Sequence, residues 1–145
     1  SFKADAKWWN GLSEEWQSIL INSLEVENEK NMLNGVESEE DIKRIIELEL
    51  VDLDNAKVRT LKPLSKLTKL RTIFCKGVPI SDLKPLENLL FLEQLDISNT
   101  NVEDITPLYK LKRLECFEYS NTKISYQNVQ ILETKVGFHF ADCLY

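Results

Sequence analysis

Leu92-Glu93-Gln94-Leu95-Asp96-Ile97-Ser98-Asn99-Thr100-Asn101-Val102, followed by Ile105-Thr106-Pro107-Leu108, is the stretch on which the fold turns. A step of 22 residues in either direction meets the same pattern. Leu48, Leu70, Leu92 and Leu114 form one column, and Val51, Ile73, Leu95 and Phe117 a second. Leu53, Cys75, Ile97 and Tyr119 form a third, and Val58, Ile80, Val102 and Ile124 a fourth. Four more begin at Leu61, Pro63, Leu64 and Leu67, so eight columns hold over three or four copies. A fixed period of this length is the signature of a solenoid, in which each repeat is one supersecondary unit.

The apolar residues at the fourth and sixth positions of a copy are two apart and share one face of a short strand. Val51 and Leu53, Ile73 and Cys75, Leu95 and Ile97, and Phe117 and Tyr119 are therefore expected to point inwards. Successive copies then stack into a parallel sheet, each burying the face its neighbour leaves open. Pro63, Pro85 and Pro107 open the return segment, where a short helical turn loses no N–H bond to proline. Thr106 suits the N-cap before Pro107. So short a period leaves no room for a full helix, and 3₁₀ or extended convex segments are expected.

The pattern LxxLxLxx(N/T)xV with a following Pro-Leu resembles a leucine-rich repeat of the 22-residue, internalin-like bacterial type over residues 48–145. The phrases Leu95–Thr100 and Phe117–Thr122 also resemble repeats of Bacteroidetes leucine-rich repeat proteins. The resemblance implies an α/β fold, a right-handed β-α superhelix with a short, curved parallel sheet and a helical N-terminal cap. It also implies use as a protein-binding module, with no partner named. In the leucine-rich repeats that this pattern resembles, the column held here by Ala56, Val78, Thr100 and Thr122 usually carries an asparagine, so backbone bonding or water is expected to satisfy the turn.

Open ends of a solenoid need covers. Ser13 precedes Glu14, Glu15 and an apolar series at Trp16, Ile19, Leu20 and Leu24, and Ser38 precedes Asp41, Ile42, Ile45 and Ile46. Both read as capped helices, with Met32 and Leu33 docking a turn that Gly35 ends. Residues 1–47 are thus expected to be a helical cap and 48–145 about four repeats plus a capping strand, in one continuous domain. Trp8, Trp9 and Trp16 are expected to cover the first repeat, and the run from Trp8 to Trp16 resembles the N-terminal cap of the same bacterial proteins. At the far end a helix is expected over Ser125–Thr134. A one-residue deletion then places Phe138 and Phe140 in the core columns of a last strand, with Cys143 in the column of Ala56, Val78, Thr100 and Thr122.

The charge is lopsided. Residues 1–47 hold eleven acids and five bases, which is the whole net charge of −6, while the remainder holds thirteen of each. No basic surplus favours nucleic acid, and no apolar run is long enough to insert in a membrane. No basic region followed by an apolar run opens the chain at Ser1, so no secretory signal is expected. Cys75, Cys116 and Cys143 are an odd number without close spacing, and all three are expected as free thiols. That leans to a reducing, cytoplasmic compartment, and Cys116, facing outwards, should react first. His139 is the single histidine, which restricts triads and imidazole metal clusters. No Gly-rich phosphate loop exists, so neither an enzyme nor a cofactor is expected.

The outward positions three, five and seven are Leu50, Asp52 and Asp54; Thr72, Phe74 and Lys76; Gln94, Asp96 and Ser98; Cys116, Glu118 and Ser120; and Gly137, His139 and Ala141. Of these, Thr72, Phe74, Lys76, Gln94, Asp96, Ser98, Cys116, Glu118, Ser120 and His139 are the expected partner-binding surface. Phe74 is an aromatic the core does not need, ringed by acids, as a binding hot spot would be. At the end of that row His139 falls within reach of Glu118, with Asp96 one strand further, as a divalent metal or a general acid–base pair would need; the expected reading is a solvated polar face with one salt-bridged histidine. The expected function is non-catalytic protein binding on the concave face, with self-association or scaffolding in a larger chain as the alternative.

Overall fold

The computed structural model describes residues 1–28, 35–36 and 38–140. Three helices open the chain: α1 (Phe2–Asn10), α2 (Glu14–Asn28) and α3 (Glu39–Ile46). Four three-residue strands follow, β1 (Leu50–Asp52), β2 (Thr72–Phe74), β3 (Gln94–Asp96) and β4 (Cys116–Glu118). They pair in chain order, all parallel, with partners 22 residues apart in every case. Between them run 3₁₀ turns η1 (Lys62–Lys66), η2 (Lys84–Leu86) and η3 (Thr106–Leu108), and α4 (Tyr126–Val136) follows β4. This is a leucine-rich repeat solenoid.

The repeat columns become the core. Val51, Ile73 and Leu95 are fully buried, as are Leu64, Leu86 and Leu108 beneath the convex turns. Phe117 is buried and Tyr119 partly so. Backbone bonds repeat with the same step: Leu53, Cys75 and Ile97 donate to the carbonyls of Phe74, Asp96 and Glu118. Apolar burial of each repeat thus requires the next, which makes stability a sum of neighbour interfaces.

Two turn columns show how the backbone bends. Asn55, Gly77, Asn99 and Asn121 all have left-handed backbones, with φ of 63°, 74°, 58° and 54°. Asn and Gly are the residues that tolerate this conformation. Gly77 has a second reason: a Cβ there would lie 2.5 Å from Asn55 Oδ1. In the neighbouring column, Thr100 and Thr122 hydroxyls donate to the carbonyls of Ile97 and Tyr119, each at 2.7 Å. Ala56 makes the equivalent bond from its backbone N–H to Leu53 O at 2.8 Å. Backbone bonding therefore replaces the asparagine in that turn.

The 3₁₀ turns carry proline in the first turn as expected, but Thr106 is not the N-cap of η3; Ile105 is, without a side-chain bond. Asp104 Oδ1 accepts from both the backbone and the hydroxyl of Thr106. Thr60 and Asp82 accept from the N–H of Lys62 and Lys84 in the same way. The capping oxygen sits one position earlier than the N-cap and folds the chain back over a two-residue turn.

Both expected N-terminal helices are present with their caps. Ser13 Oγ accepts from Trp16 N–H, and Ser38 with Asp41 forms a reciprocal capping box. The first helix, α1, is one that the reading from sequence lacks; it buries Trp9 and packs on α3. Lys66 ties it to η1 through Asp5 at 2.8 Å. α2 lies along β1. There buried Ser23 donates to Ile19 O and accepts from Asp52 N–H, covering a donor on the sheet's open edge. Met32 and Leu33 lie outside the described residues. Gly35 has φ +76°.

At the other end α4 runs two residues further than Thr134 and is capped by Ser125. The expected last strand is not formed over residues 137–140. Phe140 is buried, but Phe138 is exposed. Gly137 ends the helix in a left-handed turn with φ 80°, which breaks the alternation that a strand register assumes. Ala141, Cys143 and Tyr145 lie outside the described residues.

Candidate functional site

The concave face is built from the outward positions of the four strands. Position five forms a row in direct register, Asp52, Phe74, Asp96 and Glu118. Position three forms a parallel row, Leu50, Thr72, Gln94 and Cys116. Phe74, Thr72, Gln94, Asp96 and Glu118 are half-buried, while Lys76 and Ser120 are exposed. Thr72 Oγ1 donates to Gln94 Oε1 at 3.3 Å, so two of the expected residues also bond to each other.

The acids of the row do double work as turn formers. Asp52 Oδ1 accepts from Asp54 N–H, and Asp96 Oδ1 from Ser98 N–H, each at 2.9 Å. Asp54 Oδ1 accepts from Lys76 N–H one strand over, at 2.8 Å. Partial burial pushes the Asp54 carboxyl above the ordinary aspartate range; Asp52 and Asp96 push it the same way, and the Lys76 bond opposes them. Next to Phe74 a recess of about 430 Å³ is lined by Asn22, Ser23, Leu50, Asp52 and Asp54. Asn22 and Ser23 come from α2, so the cap helix forms one wall. Sequence reasoning missed that wall, which no repeat column could have shown.

Three expected site residues are placed differently. Ser98 is buried at 7% exposure. Cys116 is also buried, and its sulfur is in a disulfide. This overturns the expectation of three free thiols and of a reactive Cys116, and the lean to a reducing compartment loses its basis. The strand register that sent Cys116 to the concave side stands, since it pairs with Gln94 in β4. Third, His139 does not extend the row. Its Nδ1 meets Glu133 Oε2 at 2.5 Å, and the same oxygen accepts from Phe140 N–H at 2.8 Å. Glu118 and His139 line one recess of about 490 Å³ at the β4 end, but the partner of His139 is on α4.

Cys75 is a free, fully buried thiol. Burial first, and then the Asp54 and Asp96 charges, push it up to about 12. Because the thiolate is the nucleophile, Cys75 should resist alkylation in the native protein. In denaturant without reductant, peptide mass analysis is expected to find Cys75 labelled and Cys116 unlabelled. Labelling of Cys116 under those conditions would remove the disulfide. Among the described residues no group of three or more metal-ligating side chains occurs, and no helix is long and apolar enough to cross a membrane.

No family model matches the chain, and no curated protein does. Solved structures do. An internalin C2 from Listeria monocytogenes aligns with 75% of this chain at 20% identity and a TM-score of 0.59. An internalin (InlF) from the same species aligns with 72% of it at 27% identity and a TM-score of 0.59. The fold is an internalin-like leucine-rich repeat. The aligned parts are 47% and 31% of those two internalins, so this chain spans less than half of their length. The likeness agrees with the parallel four-strand sheet and its 22-residue step.

Proposed function

We propose that this leucine-rich repeat chain is a non-catalytic protein-interaction module whose partner binds the concave sheet face, centred on Phe74. The observation that supports this most is the row Asp52–Phe74–Asp96–Glu118, one aromatic among three carboxylates, beside a recess walled by α2. The apolar columns supply the core without Phe74, so a phenyl ring on this face is free for contact. Thr72, Lys76 and Gln94 stand beside it as polar groups, with Ser120 two strands further, the rim a protein interface presents. His139, by contrast, belongs with α4 and is left out of this surface. We take residues 1–47 as the cap and 48–145 as the repeats of one continuous unit. The likeness of two turns to Bacteroidetes repeats supports a bacterial source and nothing about the partner.

The test is a paired measurement on Phe74→Ala and Lys110→Ala. Lys110 lies on the convex side, exposed, with its ammonium on Asn88 Oδ1. Phe74→Ala is expected to weaken partner binding by about 2 kcal/mol while lowering stability by about 1 kcal/mol or less, since the ring is only half-buried. Lys110→Ala should change neither. Loss of binding on Lys110→Ala with none on Phe74→Ala would move the working surface to the convex side. A second reading, self-association, draws on the exposed pair Leu90 and Phe91, with the Arg113 guanidinium 4.6 Å over the Phe91 ring. Sedimentation that depends on concentration and is abolished by Phe91→Ser would favour it.

A further inference from the structure

We infer that the partner is a basic segment: an extended stretch with one apolar side chain flanked on each side by arginine or lysine, laid across the strands of the concave face. This rests on the concave-face reading above and adds the chemistry of the ligand to it. The repeat part of the chain is charge-balanced, with thirteen acids and thirteen bases in residues 48–145. Within the concave rows, however, the balance is acidic: Asp52, Asp54, Asp96 and Glu118 stand there with Lys76 as the one base, whereas the convex segments mix Lys62, Lys84 and Lys110 with Asp82, Glu87 and Asp104.

None of those four carboxylates forms an ion pair among the described residues. Folding does not call for this arrangement. The turn bonds made by Asp52 and Asp96 need an oxygen acceptor, which a neutral asparagine would supply equally. What the charge adds is a standing negative field over the sheet, of the kind that selects and steers a cationic partner.

The spacing sets the pattern of the segment. Adjacent strands lie roughly 4.8 Å apart, so Asp52 and Asp96 flank Phe74 at about 5 Å on either side. Same-face side chains of an extended peptide recur at roughly 6.7 Å. An apolar residue over Phe74 therefore places basic residues two positions before and after it within reach of the carboxylates. On the β1 side the recess against Leu50 and Phe74 receives the aliphatic stem of one of them, with Asp52 and Asp54 at its head.

The probe is a fluorescent peptide, acetyl-Gly-Arg-Ser-Leu-Ser-Arg-Gly-amide, titrated into the full chain by anisotropy at low salt. Versions with glutamine or glutamate in place of both arginines serve as controls. Binding of the arginine peptide is expected to be at least tenfold tighter than that of the glutamine version and to weaken with salt. The double variant Asp52→Asn with Asp96→Asn, which keeps both turn acceptors, should bind at least fivefold more weakly and melt as the parent does. Equal binding of the glutamine or glutamate peptide, no binding of the arginine peptide, or an unchanged double variant would each overturn the basic-segment assignment. Amide shifts on binding separate the two levels. If they fall on the convex turns and Phe74→Ala has no effect, the concave reading fails as well. If the glutamine peptide binds as tightly as the arginine peptide and Phe74→Ala weakens both, only the charge assignment fails.

Discussion

Replacing Trp16 with alanine is expected to lower stability by about 3 kcal/mol or more in urea melts, at the level of other large-to-small core changes. Trp16 is 4% exposed in the middle of the cap cluster with Trp9, Leu20 and Leu24. It also carries an anomaly: its indole Nε1 is buried and meets no acceptor among the described residues. An unpaired buried donor costs roughly 1–3 kcal/mol. Part of what the ring contributes by burial is therefore offset by its own N–H. Trp16→Phe keeps most of the apolar area and removes that donor, so it should cost under about 1 kcal/mol, well below the alanine variant. A loss under about 1 kcal/mol for Trp16→Ala would show that the cap does not depend on this ring.

At the opposite end, Phe117→Ala is expected to cost about 4 kcal/mol. Phe117 is 4% exposed and lies against Tyr119 at 5.4 Å and Phe140 at 5.6 Å between ring centroids, the second contact edge-on. Such ring pairs add roughly 0.5–1.5 kcal/mol beyond area burial. Phe117→Leu keeps the burial and loses the ring geometry, so its cost should be near 1 kcal/mol. Because each repeat leans on its neighbour, both end variants should lower a single cooperative transition. An unchanged midpoint for Phe117→Ala would mean that Phe140 and α4 do not hold the end of the sheet.

Column position predicts these two sites unequally. Phe117 is in the same column as Val51, Ile73 and Leu95, so its burial follows from the period alone. Trp16 has no repeat partner, and its place follows from helical spacing after a capping serine. The helix α1 has weaker signals: no long apolar series follows its capping residue, and Trp8 and Trp9 stand next to each other rather than on one face of a turn. Its packing on α3 supplies what its own pattern lacks.

For the proposed binding face, the row Asp52, Phe74, Asp96 and Glu118 could be written down from the spacing, because parallel strands in register set identical steps side by side. Its ends could not. Cys116 falls in an outward column, yet its sulfur is in a disulfide. His139 continues the column count, but Gly137 turns the chain left-handed and delivers the imidazole to Glu133.

The sequence by itself determined that the chain is a solenoid, which columns are buried and which strand residues share the open face. Those are local consequences of period and alternation, repeated often enough that no single exception disturbs them. The tertiary structure alone decided what happens where the repetition stops: the α2 wall of the recess, the bond from Asp52 to Ser23, the disulfide at Cys116 and the partner of His139. Each depends on a contact between segments that no period relates. At the ends of a solenoid the partner is not another copy of the same pattern, so only the folded chain can supply it.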